Sequence, residues 1–162
     1  MKQLQLILLP SALVIALAMP ALAQVEMVAM RTIGIECGVC AAVSEINLRR
    51  IEGVDKVTIS KSNESVMIAY SPGALFQPEE IREVLAPLFV QIKVFQIRAR
   101  GIVQEQDGKR IFVAGNDRFV LAPASPGAPE VPSATPVVIE AVLDDTPNPM
   151  ELTVLTFKSV AE

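Results

Sequence analysis

The chain holds two cysteines, and they form one tight motif, Cys37-Gly38-Val39-Cys40. A C-x-x-C pair placed where an extended run gives way to a helical one can turn both sulfurs toward one point. Free N–H groups at a helix start, with the positive end of its dipole, stabilise thiolate there. Two soft thiolates suit Cu(I), Hg(II) or Zn(II) far better than Mg(II) or Ca(II). The same spacing also serves a disulfide in an oxidising compartment and thiol–disulfide exchange. Three uses of Cys37 and Cys40 therefore stand side by side: metal ligands, a structural or resting disulfide, and a redox couple. Thioredoxin-like catalysis typically needs a longer α/β chain with a cis-Pro loop, for which the sequence offers no counterpart.

The surrounding elements must hold that pair in place. Val25–Ile33 reads as a strand with Val28, Met30 and Thr32 on one face. Val39–Ile51 is helical in pattern and stops at Gly53. Val54–Ser60 and Ser65–Tyr70 are strands around the turn Lys61-Ser62-Asn63-Glu64. Pro78-Glu79-Glu80 opens a second helix, which Pro87 closes, and Phe89–Arg98 is a last strand. The order β-α-β-β-α-β is the ferredoxin-like arrangement, expected over residues 24–97.

Beyond it the pattern changes to short strands without helices. Ile97–Glu105, Lys109–Ala114 and Arg118–Leu121 are separated by the turn signals Asp107-Gly108 and Gly115-Asn116. A Pro/Ala/Ser loop over residues 122–136 precedes two more strands, Val137–Leu143 and Leu152–Phe157. Residues 98–162 are thus expected to form a small all-β unit, an OB-like barrel or a sandwich. The fold class is α+β.

Gly34-Ile35-Glu36-Cys37-Gly38-Val39-Cys40-Ala41 resembles the G-M-x-C-x-x-C signature of the heavy-metal-associated (HMA) domain family, to which copper chaperones and the periplasmic mercury-binding protein belong. Glu52-Gly53-Val54 falls at that family's usual distance after the second cysteine, and Val57, Ile59, Val66, Ile68, Tyr70 and Ile81 follow its spacing. The resemblance covers about residues 25–95. It implies an open-faced βαββαβ sandwich with Cys37 and Cys40 as metal ligands on an exposed loop, Cu(I) favoured and Hg(II) or Zn(II) as alternatives. This sequence departs from the pattern in three places. Ile35 replaces a Met that packs beneath the loop, keeping the apolar volume. Glu36 replaces Thr or Ser, and a carboxylate there favours a harder or more highly charged ion. Leu88-Phe89-Val90, after Pro87, replaces a Gly-Tyr or Gly-Phe pair near the metal.

Composition narrows the function classes. Residues 1–23 carry one charge, Lys2, then an apolar run and Ala21-Leu22-Ala23, the form of a secretory signal cleaved before Gln24. The expected location is periplasmic or secreted, with no membrane segment after cleavage. The absence of His excludes a Ser-His-Asp triad and imidazole zinc sites. A net charge of −4, one Tyr and no Trp argue against nucleic-acid binding. No catalytic carboxylate pair, phosphate-cradling loop or serine elbow stands out, so the chain is read as a binding protein and not an enzyme. On the first helix Ala41, Ser44, Leu48 and Ile51 form the core stripe. A second stripe of Val39, Val43 and Ile46 is expected to dock either the β-unit or a partner protein. Met27 and Met30, both candidate thioethers, fall on opposite faces of one strand and cannot share an ion.

Overall fold

The computed structural model describes residues 24–124, 127 and 129–160. The expected leader, residues 1–23, lies outside them. Chain order is β1 (Gln24–Ile33), α1 (Gly38–Leu48), β2 (Val54–Ser60), β3 (Ser65–Tyr70), α2 (Pro78–Leu85), a 3-10 turn (Ala86–Leu88), β4 (Gln91–Gln106), β5 (Lys109–Ala114), β6 (Asp117–Leu121), β7 (Val137–Asp144) and β8 (Glu151–Ser159).

The first four strands lie in the order β2-β3-β1-β4, and all neighbours are antiparallel. Alternation decides the buried face. Val28 opposes Ile68 and Ile97, and Met30 opposes Val66 and Phe95. All six are essentially inaccessible. Helix α1 packs against β2 and α2 and turns Ala41, Ser44 and Leu48 inward, with Ile81 and Leu85 of α2 beside them. Burial of a Leu or Ile contributes roughly 1.5–3 kcal/mol each, so these positions hold the helices on the sheet.

Strand β4 joins the two halves of the molecule. The separate strands expected at 89–98 and 97–105 are one continuous run of 16 residues. Its first part pairs with β1 on one edge and, over Phe95–Gly101, with β7 on the other. Its last part, Ile102–Gln106, forms the hairpin with β5. Gly101 marks the change of partner. A Cβ there would collide with the Val113 carbonyl and crowd the Phe112 ring. The backbones approach too closely for any side chain.

Strands β4-β5-β6-β8-β7 then close back onto β4, with β6 and β8 parallel at Val120↔Glu151 and Leu121↔Leu152. The expected boundary at residues 97 and 98 falls inside β4, and the core runs through it. Phe95, Ile97 and Ala99 face Leu143, Ala141 and Ile139, and the same cluster takes in Phe112, Phe119 and Leu152. The Pro-rich segment is partly pinned: Val131 is buried, its carbonyl accepts from Arg110, and Ala134 N–H donates to Val103 at 2.9 Å.

Candidate metal centre

The first strand ends at Ile33, and Gly34, with φ of 94°, turns the chain out of the sheet. A Cβ on Gly34 would lie 2.7 Å from the Phe89 carbonyl, so this loop and the segment after α2 are in close contact. Ile35 is fully buried, in the role expected of the apolar residue beneath the loop. Anchored so, Glu36, Cys37 and Gly38 emerge exposed and Cys40 is half-buried.

Cys37 is the N-cap of α1. Its backbone is extended, and its Sγ accepts a hydrogen bond from the Cys40 N–H at 3.1 Å. The sulfur takes the place of the Ser, Asp or Asn oxygen that usually satisfies a free N–H at a helix start. Cys37 and Cys40 are joined as a disulfide, with Cα atoms 5.2 Å apart. The two sulfurs therefore converge at the mouth of α1, at the surface, in the oxidised state. Metal binding by this pair requires that the bond first be reduced.

Two charges flank the loop. Glu36 precedes the pair, and the Nζ of Lys61 lies 3.8 Å from where a Cβ on Gly38 would sit. Lys61 belongs to the β2–β3 turn, which sequence reading treats as turn chemistry alone. Nothing in its spacing shows that the turn reaches the cysteine loop; strand pairing brings it there. Phe89 also sits at this end, 87% exposed and in the left-handed region at φ 58°. That conformation is uncommon for a bulky residue, and it closes the 3-10 turn through its N–H to the Ala86 carbonyl. Among the described residues no group of three or more His, Cys, Asp or Glu could hold a metal together.

The other sequence candidates sort clearly. Met30 is buried in the core, and Met27 lies on the opposite, helix-free face. Val39 and Ile46 are 74% and 52% exposed and Val43 is half-buried, so the β-unit does not cover that stripe. Asp144 caps its own turn through the Thr146 N–H, and Asp145 receives two hydrogen bonds from Arg82 at 2.7 and 2.9 Å. Arg49 pairs with Glu45 one helical turn away.

No family model matches the chain. A stretch of 61 residues is 38% identical to the copper-transporting ATPase 2 of Rattus norvegicus and to that of Homo sapiens. The corresponding protein of Mus musculus is 36% identical over the same length. The match takes in 38% of this chain but 4% of each ATPase, a small fraction of the relatives' length. The chain is thus distantly similar, over one domain-sized stretch, to copper-transporting proteins.

Proposed function

We propose that this protein is an exported, non-enzymatic carrier of a soft metal ion, taking it up and passing it on through Cys37 and Cys40. The elements from β1 to the first part of β4 act as a ferredoxin-like, HMA-type unit, and the β-ring that β5–β8 close with β4 acts as an OB-like module for docking. The observation that carries this proposal is the meeting of both sulfurs at one exposed point on the N-terminus of α1. The similarity to copper-transporting ATPases supports a metal as the cargo.

Two thiolates with no third ligand grouped beside them among the described residues suit an ion that accepts two-fold coordination. This favours Cu(I), then Hg(II), over Zn(II), whose structural sites take four ligands. Loading begins with a two-electron reduction: an external dithiol is oxidised to its disulfide as the Cys37–Cys40 bond opens to two thiols. The thiols lose their protons as the ion binds. Release proceeds by exchange, an incoming thiolate replacing one cysteine while the other still holds the ion.

A second reading has its own support. The joined state of Cys37 and Cys40 also suits a thiol–disulfide redox protein, or a non-metal interaction module whose exposed Val39 and Ile46 meet a partner. Anaerobic titration separates them. Reduced protein is expected to take one equivalent of Cu(I) from a chromophoric chelator, and the Cys37→Ser/Cys40→Ser variant is expected to take none at that affinity. Equal uptake by both, or none by either, refutes the carrier reading.

A further inference from the structure

The helix-free face of the first four strands holds a second set of soft donors. Register places Met27 opposite Ala69 and Ala29 opposite Met67. The residues between them, Val28 and Ile68, are a buried pair, so these four side chains share the outer face. They make a square with methionines at opposite corners and alanines at the other two. Met67 is 44% exposed, and Met27 is half-buried, lining on its β4 side a groove of about 210 Å³ with Ala29, Gln96 and Leu155 that does not include Met67. Diagonal neighbours on adjacent strands stand about 7 Å apart, within reach of two long, flexible side chains.

Thioether sulfur is a neutral, soft donor that selects Cu(I) and its heavier analogue Ag(I). Unlike the cysteines it stays available when the disulfide is closed. The local charge moderates the affinity. Arg31, Arg98 and Lys56 share this face and oppose a cation. Glu26 pairs with Arg98 at 3.4 Å, and Glu140 lies directly opposite Arg98 across the strands. We propose that Met27 and Met67 form a surface site for a monovalent soft ion, separate from the cysteine loop and working in the oxidised protein. This inference is independent of metal binding at Cys37 and Cys40.

The test uses the disulfide-intact protein, carrying methyl-labelled methionine, titrated with Ag(I) in chloride-free buffer. The Met27 and Met67 methyl signals are expected to move together and saturate at one equivalent in the micromolar range, while buried Met30 stays still. Met27→Leu and Met67→Leu, which conserve volume and so keep the fold, should each weaken binding at least tenfold. Methyl signals that do not move overturn the proposal. So does a Met67 response that survives Met27→Leu unchanged.

Discussion

Replacing Asp117 with Asn should make the protein more stable at neutral pH and leave it nearly unchanged in acid. Asp117 opens β6 and is 7% exposed, and its carboxylate accepts from the Phe76 N–H at 3.4 Å. Burial pushes its pKa up to about 6, and the single long hydrogen bond offsets that only in part. A carboxyl whose folded pKa is raised keeps its proton where the unfolded chain has lost it. Its contribution is therefore fully present below the unfolded value near 4 and is lost as pH climbs to about 6. A rise from near 4 to about 6 sets a ceiling of about 3 kcal/mol on the charge penalty. Residual water at the carboxylate and the weakened bond to Phe76 in the variant bring the expected gain to about 1–2 kcal/mol at pH 7.5. Urea denaturation at several pH values, with the disulfide intact, measures it. The difference between variant and parent should grow between pH 4 and 6 and then stay level. A difference that is flat with pH, or that falls, refutes the assignment of a buried, charge-penalised carboxylate.

Three further changes probe the frame around the site. Gly101→Val places a branched side chain against the Val113 carbonyl and Phe112 ring, so the β4–β5 hairpin should be lost and limited proteolysis should cut beyond residue 101. Arg82→Met removes both hydrogen bonds to Asp145 and a cation 4.9 Å above the Phe95 ring; about 1 kcal/mol of stability should disappear in denaturant titration. Lys61→Glu reverses a charge beside the cysteine loop. A Cu(I) bis-thiolate is anionic and an Hg(II) bis-thiolate neutral, so Cu(I) affinity should fall about three- to tenfold in chelator competition, with Hg(II) affected much less.

The local parts of this structure were legible in the sequence because local rules govern them. Strands β2 and β3 run between the residues that their alternation indicates, Val54–Ser60 and Ser65–Tyr70. Pro78 with its following acids opens α2 as expected. Helix α1 ends at Leu48, short of Ile51, because Arg49 and Arg50 leave the helix in a turn toward Gly53. Features fixed by distant partners were not legible. Phe89–Arg98 and Ile97–Glu105 read as two strands, yet β4 is one run because β1 and β7 hold both of its edges where the two meet. Lys61 reaches the cysteine loop, and Met67 comes to stand diagonal to Met27, through strand pairing that no spacing reveals. At the site itself, spacing brought Cys37 and Cys40 together but was silent on whether they meet as thiols or as a disulfide.

The most direct test of the carrier role is copper X-ray absorption on the reduced, Cu(I)-loaded protein in a Met27→Leu/Met67→Leu background. Two sulfur neighbours, both lost when Cys37 and Cys40 are changed to Ser, are the predicted result. A copper environment without sulfur, or one that survives the loss of both cysteines, would contradict it.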